Sequence, residues 1–332
     1  MVHGMNFDSQ TEKRRHLDEF RPMPEALLRN LDQWFRVELT YTSNAIEGNT
    51  LTRRETALVV EKGLTVGGKS LVEHLEATNH ARALDFVKAQ VARKPSEIAA
   101  REILMIHETI LKGIDDANAG QFRSVPVRIS GSTVVLPNPM KVPDLMEEFG
   151  VWLQSESDLH PIELAAEAHY RLVTIHPFVD GNGRTARLLM NMILMMQGYP
   201  PAIIRKRDRL AYISSLEQAQ TGGSKEDYLK LIAKAVDRSL DIYLKALLGV
   251  EERQPLAREK LLKIGQLAKL IGKNNSTIRH WTKGGLLTVE ETTDSGYQLY
   301  SPDAVEQAKR ILELQNQRFT LSEIRQKLTE GK

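Results

Sequence analysis

HPFVDGNGRTARLLMN, residues 176–191, places a histidine, an aspartate, an asparagine between two glycines and two arginines within twelve residues, then turns apolar. Before it, ELAAEAHYRLVTI (163–175) repeats apolar positions at spacings of three and four and reads as a helix. Pro177 should end that helix near His176, because a residue before proline is driven out of the helical region. ARLLMNMILMM (186–196) reads as a second helix beginning near Gly183, which leaves FVDGNG (178–183) as a glycine-rich turn.

Backbone amides of such a turn converge at the N-terminus of the second helix and, with the helix dipole, favour an anion. Arg184 and Arg187 stand three apart on the first turn, so both can reach one side with forks suited to phosphate. Cations there oppose the dipole, which an anion would offset. Asp180 is a hard oxygen ligand where Mg²⁺ would bridge phosphates, and His176 can take a proton from a hydroxyl at neutral pH. Each part alone has a bland reading: a surface histidine, a solvated arginine pair, a simple turn. Together they are the parts of nucleotidyl or phosphoryl transfer.

The rest of the chain sets limits. Its 332 residues suggest two or three domains, and a formal net charge of +2 excludes a generally basic nucleic-acid coat. Without cysteine there is no disulfide framework, thiolate metal site or thiol catalysis. No signal-type apolar core or membrane-length run is present, so a cytoplasmic protein with no membrane partner is expected. From Pro24 to Gly249 the periodicity is helical. VPVRISGSTVVLPNPMKVPDL (125–145) is the exception and predicts a short β-hairpin around Gly131-Ser132. Beyond the proline-containing stretch 249–260, residues 255–332 hold 13 Lys or Arg against 9 Asp or Glu, so the positive charge lies in a small C-terminal domain.

HPFVDGNGRTAR resembles the signature of the Fic family, His-Pro-Phe-x-Asp/Glu-Gly-Asn-Gly-Arg-x-x-Arg, at every defining position, and the resemblance runs over about 27–247. It implies an enzyme that transfers AMP from ATP to a Ser, Thr or Tyr hydroxyl of a target protein or of itself. By that resemblance His176 would be the general base and Asp180 the Mg²⁺ ligand. Gly181, Asn182 and Gly183 would form the nest for the α- and β-phosphates, with Arg184 on the β-phosphate and Arg187 on the γ-phosphate. GQFR (120–123) resembles the pattern before the family's flap, which aligns the target as an added strand; the 125–140 hairpin would be that flap. The tyrosine in DRLAYISSLEQAQTGG (208–223) falls where the family closes over adenine. Phosphorylating relatives carry a lysine where this chain has Gly183, so glycine favours adenylylation.

LTYTSNAIEGNTLT (39–52) contains Ser43-x-x-x-Glu47-Gly48, on its own a helix with a glycine stop. In this context it resembles the family's inhibitory motif, whose glutamate pairs with the second arginine. A bidentate Glu47–Arg187 pair would occupy the fork the γ-phosphate needs, and would act in cis. In some relatives the same glutamate positions a water that removes AMP, so de-adenylylation stays open.

The C-terminal segment shows IGQLAKLIG, NNSTIRHWTKG and LLTVEETTDSGYQLY, a helix, a turn, a second helix and a hairpin-like wing. It resembles the DNA-binding domain of MerR-type regulators over about 263–328. The resemblance implies that Thr277, Arg279 and Lys283 face DNA from the recognition helix and Tyr297 from the wing. Trp281 replaces a family tyrosine and Gln298 the wing arginine, and no long dimerisation helix follows, so DNA binding would need a homodimer formed through the Fic domain or would be weak. The expected fold is therefore mainly α: a helical segment 1–52 with the inhibitory motif, a Fic domain 53–250 with its flap, a linker 251–262 and a winged helix-turn-helix domain 263–332. Two rivals remain: a DNA-binding regulator whose Fic core senses ATP, and an enzyme whose C-terminal domain holds a protein target.

Overall fold

Two helices flank the motif, Pro161–Ile175 and Asn182–Met196, in the computed structural model. It describes residues 5–155, 157–249, 261–292, 298–301, 303–316, 319 and 323–324. The chain divides into two units, Met1–Val250 and Glu251–Lys332. The predicted linker 251–262 lies mostly outside the described residues.

In chain order the first unit carries α1 (Asp8–Asp18), α2 (Glu25–Ile46), α3 (Arg53–Lys62), α4 (Leu71–Ala89) and α5 (Ala100–Leu111). It continues with α6 (Val142–Gln154), the flanking pair α7 (Pro161–Ile175) and α8 (Asn182–Met196), then α9 (Arg209–Gln220) and α10 (Glu226–Leu247). α8 is buried on every side: Leu188, Leu189, Met190, Met192, Ile193 and Leu194 all lie in the core. Such all-round burial is what a helix in the centre of a domain requires. Local signals set other boundaries. Thr52 and Glu55 close a capping box on α3, which ends at Gly63 with φ of 64°, and Ser70 and Glu73 form the same box on α4.

The 125–140 flap takes the form of two extended arms around a turn, and among the described residues no strand pairs across it. The turn closes through Ser132 N–H to the Ile129 carbonyl at 3.2 Å, with Gly131 at φ +77°. Pro126, Pro137 and Pro139 remove amide donors that a ladder would use. Arg123 takes the carbonyls of both arms, Val125 at 3.2 Å and Pro137 at 2.7 Å, so one guanidinium replaces the cross-strand bonds at the base. At the tip the Thr133 N–H and the Ser132 hydroxyl donate to Glu217 of α9 at 2.8 and 2.9 Å.

The second unit has its own core, in which Leu267, Ile278, Trp281, Leu286, Tyr300 and Ile311 are buried. β1 (Leu262–Lys263), α11 (Ile264–Leu270), α12 (Asn275–Lys283), β2 (Glu291–Thr292), β3 (Gln298–Tyr300) and α13 (Asp303–Asn316) follow one another. The strands form one antiparallel sheet in the order β1-β3-β2, so the wing is β2 and β3. Trp281, where the MerR pattern has tyrosine, is packed inside.

Candidate active site

α7 stops at His176, which takes the left-handed conformation at φ 51° and ψ 59°. Its Nδ1 lies 3.3 Å from the Val173 carbonyl, and a carbonyl only accepts, so Nδ1 carries the proton and Nε2 keeps its lone pair. Burial pushes the His176 pKa below the ordinary histidine range, against the opposing pull of the Val173 bond. The side chain is therefore a neutral acceptor at pH 7.

The turn after it is held from three directions. The Asn182 side chain accepts from Phe178 N–H at 3.0 Å and donates to the Phe178 carbonyl at 2.9 Å, so its amide closes the loop. His107 of α5 receives Gly120 N–H on Nδ1 at 3.0 Å, which leaves Nε2–H to donate to the Asp180 carbonyl at 2.9 Å. Its ring stacks on Phe178 with centroids 3.6 Å apart. A Cβ at Gly181, whose φ is +76°, would stand 3.2 Å from that ring, so the position needs glycine for both conformation and space. Arg123 completes the frame: Nε donates to the His176 carbonyl at 2.7 Å and its N–H to the Pro177 carbonyl at 2.8 Å. One buried arginine thus ties the flap's base to the histidine's backbone.

Both motif arginines are buried and paired with carboxylates. Arg184 donates to Glu76 of α4 at 2.9 Å and to Asp180 at 3.0 Å, while its Nε is buried with no partner. That orphaned donor beside the amides of the α8 N-terminus fits a phosphate oxygen. Arg187 gives Nε to the Ser43 hydroxyl at 2.9 Å and Nη2 to both the Ser43 carbonyl at 3.0 Å and Glu47 Oε1 at 2.6 Å. Burial is the largest single influence on its pKa and lowers it, yet the charge and hydrogen bond of Glu47 together with the neighbouring Tyr212 raise it on balance. The expected bidentate fork is thus corrected: Ser43 takes Nε, so Glu47 holds a single arm. A Cβ on Gly183 would collide with the Glu47 carboxylate, so glycine at this position leaves the Glu47 side chain its space. Gly48, at φ +104°, turns the chain away directly after Glu47.

The Asp180 carboxylate is largely exposed, and among the described residues no group of three or more acidic or histidine side chains gathers. A single carboxylate suits Mg²⁺ that is held mainly by a nucleotide's phosphates, so the residues fit that ion. Tyr212 does not lie open for a base to stack on: it is buried, with its hydroxyl 2.7 Å from His169 Nε2. The adenine expectation for this tyrosine gives way to a polar role.

The first unit has solved counterparts. A Fic-1 fragment from C. elegans (aa134–508) is 34% identical, with a TM-score of 0.64 over 72% of this chain and 70% of that one. A Fic domain containing signaling protein from Bacteroides thetaiotaomicron is 31% identical, with a TM-score of 0.65 over 74% of this chain and 98% of that one. The Fic/DOC family model matches residues 97–194. The chain belongs to the Fic family. Protein adenylyltransferase Fic from Drosophila grimshawi is 39% identical over 264 residues, 79% of this chain and 54% of that protein. That from Nematostella vectensis is 44% identical over 206 residues, 61% and 48%. The chain spans about half the length of the curated relatives it matches.

The Fic match covers α5 to α8 and leaves out Ser43 and Glu47, although these complete the site. The model described as MerR HTH family regulatory protein matches residues 262–331. In α12, Arg279 and Lys283 are exposed one turn apart, while Thr277 donates its hydroxyl to the capping side chain of Asn274 at 2.8 Å. Tyr297 lies outside the described residues. Among those described, no helix is long and apolar enough to cross a membrane. The sequence does not mark His107, Arg123 or Glu76 as site residues, although Arg123 ends the GQFR pattern. A lone histidine or glutamate on a helix leaves no signal that it reaches a loop in another part of the chain.

Proposed function

We propose that this chain is a protein adenylyltransferase, moving AMP from ATP to a Ser, Thr or Tyr hydroxyl of a target protein or itself, and held off by Glu47. The supporting observation is the meeting of a neutral, Nε2-accepting histidine with the amide nest and two buried arginines, one of them in the grip of Glu47. His176 would take the proton as the target oxygen bonds to the α-phosphorus, while the bond from that phosphorus to the β-phosphate bridge oxygen breaks and pyrophosphate leaves. The amides of Gly181, Asn182 and Gly183 with Arg184 would hold the α- and β-phosphates, and Arg187 the γ-phosphate. Asp180 would hold Mg²⁺, whose chemistry when bound is to neutralise phosphate charge.

Glu47 would compete for Arg187 with the γ-phosphate and leave ATP in a pose unsuited to in-line attack. The extended, unladdered flap has backbone groups free to pair with a target segment. Wild type, Glu47→Gly and His176→Ala, incubated with Mg²⁺ and α-labelled ATP, test the reading. Label on protein with Glu47→Gly and none with His176→Ala supports it; no label from any variant, with or without lysate, rejects it. Loss of label from a pre-modified target, faster with wild type than with Glu47→Gly, would be the mark of de-adenylylation.

The exposed Arg279 and Lys283 favour DNA as a partner of the second unit. A labelled duplex that does not shift at low salt would leave a protein target as that unit's partner.

A further inference from the structure

The end of α2 and the loop after it are clamped onto α4 by contacts that the proposed chemistry does not use. Asn44 Nδ2 donates to the Glu76 carbonyl at 3.2 Å, and Asn49 N–H donates to the Asn44 carbonyl at 3.0 Å. The Asn49 side chain is committed at both ends. Its Oδ1 accepts Leu51 N–H at 2.9 Å, and its Nδ2 donates to the Glu73 carbonyl at 3.1 Å and to Glu76 Oε2 at 2.8 Å. The other oxygen of that carboxylate, Oε1, accepts from Arg184 Nη1 at 2.9 Å. Glu76 thus joins the loop that follows Glu47 to the first arginine of the motif.

Each oxygen of Glu76 meets a donor that has no other role to offer, and only a carboxylate presents acceptors to both. A glutamine would turn its NH₂ group towards Asn49 or towards Arg184, where a donor already stands. Arg184 is buried; it gives Nη2 to Asp180 at 3.0 Å and keeps its Nε–H without a partner. The two carboxylates on this arginine differ in freedom: the Asp180 side chain is 67% exposed and the Glu76 side chain 18%. Asp180 is therefore the partner that can turn away, and Glu76, held at its far oxygen by Asn49, is the one that stays.

We propose that Glu76 is a positioning residue: anchored by Asn49, it fixes the Arg184 guanidinium so that Nε–H faces the β-phosphate, and so sets preference for nucleotides with a β-phosphate over AMP. The inference rests on the reading of Arg184 as the β-phosphate ligand. Arg184 must keep its place when Asp180 serves another cation, and a second carboxylate behind it holds the guanidinium in both states. Side-chain networks of this kind fix rotamers when their members are satisfied.

The test measures ADP and AMP binding to the full chain by titration calorimetry, with Mg²⁺. Neither nucleotide has a γ-phosphate, so the hold of Glu47 on Arg187 does not enter. Glu76→Gln should lower the ADP-to-AMP affinity ratio about ten-fold, on the order of one charge-assisted hydrogen bond, with AMP affinity little changed. Asn49→Ala, which touches no nucleotide, should lower the ratio in the same direction by a smaller factor, and decides the matter if Glu76→Gln does not fold. A merely structural clamp would lower melting temperature in both variants and leave the ratio untouched, which overturns the proposal. Arg184→Ala separates the two layers. If it leaves the ratio unchanged, the β-phosphate reading itself fails; if it abolishes the preference while the Glu76 and Asn49 variants keep it, only the positioning role fails.

Discussion

On the proposed reading Glu47 acts as a brake and His176 as the base, so their effects differ in sign. Glu47 makes a charge-assisted bond of 2.6 Å to a buried arginine, an interaction worth about 1.5–3 kcal/mol. Glu47→Gly should therefore raise the transfer rate on the order of 10- to 100-fold, read as label incorporated per minute; an unchanged rate would remove the brake. His176 is held below the ordinary histidine range by burial, so it already stands neutral at pH 7. Transfer by Glu47→Gly should be level from pH 8 to 7 and fall only on the acid side of about 6.5, the unperturbed value. A pH–rate profile that falls above pH 7 would count against His176 as the base. At this scale the sequence is informative because the chemistry is local: His176, Asp180 and the arginines follow one another in one turn. Arg123 and His107 act on that turn from 53 and 73 residues away, at the His176 and Asp180 carbonyls, and only the fold brings them there.

α9 touches three parts of the site in twelve residues. Arg209 donates to the Ile46 carbonyl at 2.6 Å and so holds the end of α2 that bears Glu47. Tyr212 reaches inward to His169 of α7, and Glu217 receives the flap tip from Ser132 and Thr133. Those hydrogen bonds keep the Glu217 pKa low, so the contact is charged at neutral pH. Glu217→Ala should loosen the flap and raise the apparent KM for a protein target about three- to ten-fold, with ATP affinity unchanged; steady-state kinetics at saturating ATP check it. An equal loss of ATP affinity would mean that α9 acts on the nucleotide instead. The flap itself shows what periodicity misses. Alternating β-branched residues predict paired strands, whereas the prolines, together with Arg123's capture of two carbonyls, leave the arms extended and unpaired.

Buried histidines tie the stability of the whole first unit to pH. Burial lowers His80 and His169 to about 3 and His107 to about 4, with the charges of Arg187 and Arg184 adding to the shift at His80. Folded, these rings stay neutral; unfolded, they protonate near 6.5. Their contribution is thus complete above about pH 6.5 and is lost as pH falls towards the folded values, by about 1.4 kcal/mol per pH unit for each ring. The melting temperature should drop steadily between pH 7 and 5, and a flat profile by scanning calorimetry would show that the rings are not buried neutral. In the second unit, the joint replacement Arg279→Ala and Lys283→Ala should lessen the salt slope of duplex binding by about two and weaken binding; an unchanged slope would move the contact elsewhere.

The helical class, the motif turn with its two flanking helices, the acceptor histidine, its anion nest and the resemblance of each part of the chain to a family are all legible in the order of the residues. They depend on neighbours within one or two turns, where spacing translates directly into geometry. The contacts that cross the chain emerge from packing alone: Ser43 sharing Arg187 with Glu47 across 144 and 140 residues, Glu76 reaching Arg184 from α4, and Tyr212 turned inward to His169. Such pairs are set by how α2, α4 and α9 lie around α8. A buried arginine accepts whichever oxygen that packing delivers, and no local pattern records the choice.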